Sequence, residues 1–241
     1  MVREFYLDGK SSRDFGILIN SAKPFGAPKL DVNQIAVPGR DGDVFISNER
    51  YENFELKYTC GIINNIDEKM RKIKAWLYSK KGYRTLYDDY TGKDYFRLAC
   101  FNSDISPDVD RKIATFDIAF SCNPYLFSFE GQKWLKVNSK TTLFNPEAFE
   151  SRPILKIHTD MSLADTNIYI NDTHFHFDDT AYDDTIIVDT QTQNAYFDNN
   201  GNYENANNII NTADIKLKTG INTFTVGSGL SVEIMPRWRT I

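Results

Sequence analysis

Tyr51-Glu-Asn-Phe-Glu-Leu-Lys-Tyr-Thr-Cys-Gly-Ile-Ile63 alternates Phe54, Leu56, Tyr58 and Cys60 with Glu55, Lys57 and Thr59. A period of two sends these sets to opposite faces, so the stretch predicts a β-strand with one wet side. Immediately afterwards the period changes. Ile66, Met70, Ile73 and Leu77 recur at helical spacing, while Asp67, Glu68, Lys69, Arg71, Lys72 and Lys74 fill the other face; this is an amphipathic helix near residues 66–80. Its charges agree with its direction. Asp67 and Glu68 lie in the first turn, Lys80 and Lys81 follow the last, Asn64 or Asn65 can cap the start and Gly82 can close the end.

Moving outward, the remaining sequence reads as β. YRTLYDDYTGKDYFRLACF has the form of a hairpin turning at Tyr90-Thr-Gly-Lys93, and ATFDIAFSCNPYLF supplies a strand ending at Asn123-Pro124. On the N-terminal side, REFYLDGKSSRDFGILIN gives two short apolar segments around a turn at Asp8-Gly9. QIAVPGRDGDVFIS places Pro38, Gly39, Asp41 and Gly42 between apolar flanks, which predicts an exposed, sharply turned loop or hairpin tip. From about Gln132 onward no further helix is evident, Asn, Asp and Thr become dense, and short strands such as RPILKIHT, TNIYI, TIIVDT and NTFTV recur between turn clusters. That is the pattern of an antiparallel sandwich. The expected fold is therefore mainly β with one α-helix, divided into residues 1–130 and residues 131–241.

Composition narrows the function. Apolar residues at 41% and charged residues at 25% describe a globular chain rather than a disordered one. A formal charge of −5 leaves no basic stripe to clamp nucleic-acid phosphates. No run of about 18 apolar residues occurs, and Arg3, Glu4 and Asp8 interrupt the opening where a leader peptide needs an apolar stretch. The expectation is a protein made in the cytoplasm with no membrane insertion. Cys60, Cys100 and Cys122 are odd in number and set among apolar neighbours, which fits reduced thiols packed in strands.

Candidate sites are few. No Gly-x-Ser-x-Gly elbow, HExxH, phosphate-cradling Gly loop or Cys with a positioned His occurs, so the expectation is a chain that is not an enzyme and takes no cofactor. His174 and His176 share a strand face beside Asp178 and Asp179, but no third ligand is fixed by spacing; a solvated face is expected there, with no metal. Asp183 and Asp184 lack the intervals of a calcium loop. The loop of Pro38, Gly39, Arg40, Asp41, Gly42 and Asp43 is a candidate subunit interface: its Pro and Gly residues fix the backbone while its charged residues offer ion-pair partners to a neighbour. In the second half, Trp134, Tyr182, Tyr196 and Tyr203 are the rings available to stack on sugars. The galectin contact pattern, His-x-Asn-x-Arg with a later Trp and Glu, has no match. A carbohydrate-binding module acting in host-surface recognition is the alternative function.

The order of these elements resembles the distal tail protein family of siphophages. FYLDGKSSRDFGI resembles the family's opening strand and turn, VPGRDGDVF (Val37 to Phe45) its Pro-Gly-Arg-Asp-Gly segment, KIKAWLYSKKGYRTLYDDY its helix with a Trp-Leu pair, and DIAFSCNPYLF its closing strand. GINTFTV and EIMPRWRTI look like the last strands of the galectin-like or carbohydrate-module-like second domain of such proteins. The resemblance implies a tail-tube-related, split-barrel or sandwich-like first domain followed by an antiparallel β-sandwich. It also implies a structural protein of a phage or prophage virion, assembled in the bacterial host cytoplasm. Its partners would be copies of itself in a hexameric ring, possibly stacked, together with the tail tube protein, the tape measure, the tail-associated tip protein and receptor-binding or baseplate proteins. DNA would pass through the lumen without specific binding.

Overall fold

The computed structural model describes residues 3–20, 26–160, 165–176, 184–199, 201–208 and 214–241. The chain divides into two units, Met1–Leu126 with Ile241, and Phe127–Thr240.

The first unit contains β1 (Phe5–Leu7), β2 (Lys10–Ser11), β3 (Leu18–Ile19), β4 (Leu30–Ile35), β5 (Val44–Tyr51), β6 (Phe54–Ile63), α1 (Ile66–Leu77), β7 (Arg84–Asp88), β8 (Tyr95–Cys100), β9 (Asp108–Asp110) and most of β10 (Ile113–Ser128). One antiparallel sheet, ordered β2-β1-β7-β8-β10-β6-β3 with β9 beside β10, curls into a half-barrel. In β6 the alternation read from the sequence is present: Leu56, Tyr58, Cys60 and Ile62 are buried while Glu55, Lys57 and Thr59 are exposed. The helix lies against the buried side of the sheet. Met70, Ile73, Trp76 and Leu77 join one core with Phe5, Leu7, Tyr58, Phe116, Ile118 and Phe120. Its centre is aromatic, with Phe5 stacked on Tyr58 at 4.9 Å and Trp76 stacked on Phe15 at 4.2 Å. Such pairs add orientation to area burial.

The helix ends differ from the sequence expectation. Asn65 stands at the N-cap position in the left-handed region (φ 51°), and its side chain makes no capping bond. The C-cap is Tyr78, whereas Gly82, at φ 85°, turns the chain four residues later. A longer-range clasp holds this end instead. Arg84, almost fully buried, donates from Nη1 to the carbonyls of Trp76 and Leu77 and from Nε to Asp8 Oδ2 at 3.0 Å.

The second unit is a sandwich. A six-stranded sheet runs β11 (Leu135–Val137), β20 (Leu230–Met235), β13 (Ile154–Thr159), β16 (Thr185–Asp189), β17 (Asn194–Asn199) and β18 (Asn202–Asn205). A four-stranded sheet runs β12 (Thr142–Asn145), β19 (Gly220–Val226), β14 (Asn167–Ile170) and β15 (Thr173–His176). Leu155, Ile157, Ile186 and Val188 from the first meet Ile168, Ile170, Phe175 and Phe224 from the second in a core of their own. Arg237 closes the unit with two 2.9 Å bonds to the carboxylate of Asp189, the fork geometry that suits a guanidinium.

Candidate subunit interface

The strands β4 and β5 form a sheet of their own and pair with no other described strand. Their register sets Asn33 opposite Ile46 and Ile35 opposite Val44, so these four side chains share one face. Val32 opposite Ser47 and Gln34 opposite Phe45 occupy the other. Both faces are wet. Leu30, Ile35, Val37, Phe45 and Ile46 are between 41% and 63% exposed. A two-stranded ribbon is marginal alone in water, and one that exposes large apolar residues on both faces has the composition of a buried strand without the burial.

The backbone of this hairpin is fixed at both ends. At the tip, Arg40 N donates to Val37 O at 3.2 Å around Pro38-Gly39, with Gly39 at φ 79°. Pro followed by a positive-φ Gly is the requirement of a type II turn. Gly42, also at φ 79°, bends the chain again before β5. At the base the ladder is interrupted, because Asn48, Glu49 and Arg50 oppose the single residue Asp31. Asp31 holds this bulge together by accepting from Asn48 Nδ2 and Arg50 Nε, each at 2.8 Å. The bond from Asn48 and then the Arg50 guanidinium hold its carboxyl below the usual aspartate range.

All six loop residues singled out in the sequence, Pro38 to Asp43, are exposed at this tip. The sequence pointed to the tip and its apolar flanks but not to the Asp31–Arg50 clamp. The signal available for the flanks was the adjacent pair Phe45-Ile46, which breaks the one-sided alternation seen in β6.

The aromatic candidates of the second unit do not form one platform among the described residues. Trp134 precedes β11 at one edge of the six-stranded sheet, whereas Tyr196 and Tyr203 meet edge-to-face at 5.0 Å on β17 and β18 at the opposite edge. Tyr182 lies outside the described residues, as do Asp178, Asp179 and Asp183. His174 stacks on Tyr169 at 4.5 Å, with its Nε2 2.7 Å from Asn167 Oδ1. All three cysteines are free. Burial pushes the thiols of Cys60 and Cys122 up to about 12, as expected of thiols packed like small hydrophobes.

Residues 8–122, which lie in the first unit, match the family model of the phage tail protein RIFT-related domain. Across the whole chain the fold is similar to solved structures of two phage proteins. The SPP1 Dit protein, described as a paradigm of the hub adsorption apparatus in phages infecting Gram-positive hosts, superposes with a TM-score of 0.70 at 13% identity over 96% of this chain and 97% of its own. A chain of the phage P2 baseplate in its activated conformation gives a TM-score of 0.54 at 11% identity over 97% of this chain and 98% of its own. No curated protein matches in sequence. The likeness to distal tail proteins read from the sequence is thus shown by the family model and by the fold.

Proposed function

We propose that the chain is a structural component of a phage tail tip, forming a closed ring, taken as hexameric, that links the tail tube to the tip or baseplate proteins and so to host adhesion. The domain family and the Dit-like fold support a tail-tip or baseplate component. The observation that carries the ring is the β4–β5 hairpin, which pairs with no other described strand and exposes apolar residues on both faces. A ribbon of this kind gains its stability from a sister molecule, and repetition of one head-to-tail contact about an axis closes a ring. The role needs no chemistry, so we assign neither enzymatic activity nor a cofactor. The virion is its place of action, and DNA passes through the ring without sequence-specific contact.

The test is sedimentation velocity and electron microscopy of the purified chain. Six-fold rings are expected. Leu30 and Tyr51 are direct partners, so exchanging residues 32–49 for an Asn-Gly turn shortens the hairpin without opening its base, and this variant is expected to stay monomeric with an unchanged melting temperature. Rings formed by the shortened variant would remove the hairpin from the interface. A carbohydrate-binding role for the second unit is a separate reading, supported by the exposed Tyr203 beside Tyr196; glycan binding lost in Tyr203→Ala is its test.

A further inference from the structure

A second uncovered apolar surface lies on the outer face of the first unit's sheet. Leu18 pairs with Gly61, Gly61 with Thr115, and Ile63 with Ile113, so all of these side-chain positions point to the same side. Leu18, Ile63 and Ile113 are 55%, 44% and 49% exposed. Elsewhere this face is polar, carrying Glu55, Lys57 and Thr59, with Lys57 paired to Asp117 at 2.6 Å. The aliphatic side chains therefore gather at one corner, and Gly61 adds none of its own, which keeps the surface low between them. Beside that corner the register of β9 sets Asp110 against Ile113 and Asp108 against Thr115, so two carboxylates line its border next to Arg111 and Lys112 of the turn, a mixed-charge rim to meet the mixed charges of the hairpin tip.

The hairpin has the matching features. Its Ile35, Val44 and Ile46 share a face with Asn33 that carries no charge, and Arg40 stands at the tip beyond it together with Asp41 and Asp43. From strand spacing, that face measures about 7 by 5 Å between Cβ positions, and the corner about 7 by 10 Å. Both surfaces remain exposed in one subunit, so neither covers the other within the chain. Because they are different surfaces, their union is heterologous: each copy offers one hairpin face and one corner, and a closed ring leaves none over.

We infer that the Ile35–Val44–Ile46 face of one copy's hairpin seats on the Leu18–Ile63–Ile113 corner of the next copy, with Arg40 reaching the Asp108 and Asp110 border. This rests on the ring reading above and names the surface that receives the hairpin. Ile46→Asp and Ile113→Asp place a carboxylate on either side of the contact at exposed positions, and thermal melting checks that each variant folds. By sedimentation velocity over a range of concentrations, each variant alone is expected to self-associate at least tenfold more weakly than the parent chain. An equimolar mixture is expected to form dimers and nothing larger. The intact hairpin of the Ile113→Asp chain meets the intact corner of the Ile46→Asp chain, while the reverse junction sets two carboxylates together. Full rings from Ile113→Asp alone, or a mixture that stays monomeric, would overturn the corner as the receiving surface and leave the hairpin reading standing. A parent chain that is monomeric at every concentration would overturn both.

Discussion

Arg84 ties the end of α1 and the start of β7 to Asp8, 76 residues away in sequence. Its guanidinium binds the last carbonyls of α1 and the carboxylate of Asp8, which also accepts from Lys80 Nζ at 3.0 Å and from Thr85 N. Removing the buried Arg84 leaves the carbonyls of Trp76 and Leu77 without their donor and Asp8 with Lys80 and Thr85 N alone, so Arg84→Ala is expected to cost about 3 kcal/mol of stability at neutral pH. Lysine in its place would supply a point charge but not the fork that reaches both sites. Partial burial pushes the Asp8 carboxyl up, yet the bonds from Lys80 and Arg84 outweigh this and hold it below its ordinary value. A carboxylate depressed in the folded state stabilises fully above its unfolded pKa, near 4, and loses that contribution as pH falls through the lower folded value. Urea unfolding should therefore show the gap between parent and Arg84→Ala narrowing below about pH 4; a gap that is flat with pH would mean that Asp8 contributes nothing through its charge. None of this was visible in the sequence, because Asp8 and Arg84 share no motif and meet only once the sheet brings β1 beside β7.

Elements that bury one face announce themselves, and those that bury neither do not. β6 and α1 were readable because a single buried side imposes period two on Leu56, Tyr58 and Cys60 and helical spacing on Met70, Ile73 and Leu77. The Asn expected at the start of α1 is the N-cap residue, Asn65, but it serves there through its tolerance of positive φ rather than through a side-chain bond. In β4 and β5 no one-sided burial selects a period, so only the turn chemistry of Pro38, Gly39 and Gly42 showed through. The same independence from the core gives a prediction. Gly39 sits at φ 79° with nothing within 4 Å of an added Cβ, so Gly39→Val is disfavoured by backbone conformation alone, by about 1–2 kcal/mol. That cost falls on the hairpin rather than on the core. Self-association should weaken by roughly tenfold while the melting temperature stays unchanged, and a lowered melting temperature would show that the hairpin supports the unit's own core.

At the level of the molecule, each unit has its own core, one built around Phe5, Tyr58 and Trp76 and the other around Leu155, Phe175 and Ile234. A segment that holds a complete core can unfold as a unit. The proposed ring contacts, hairpin and corner alike, belong to the first unit, so damage to the second core should spare assembly. Phe175 is fully buried between the two sheets of the sandwich, and its truncation to alanine removes a ring from a close-packed site at a cost of about 3–5 kcal/mol. Calorimetry of Phe175→Ala should show part of the heat absorption moving to lower temperature, because only one of the two cores has lost contacts. Below that transition the rings should match the parent's in sedimentation velocity, since Ile35, Val44 and Ile46 and their proposed receiving corner are untouched. If the rings dissociate together with the early transition, the sandwich contributes contacts that close the ring, and assembly is a property of both units.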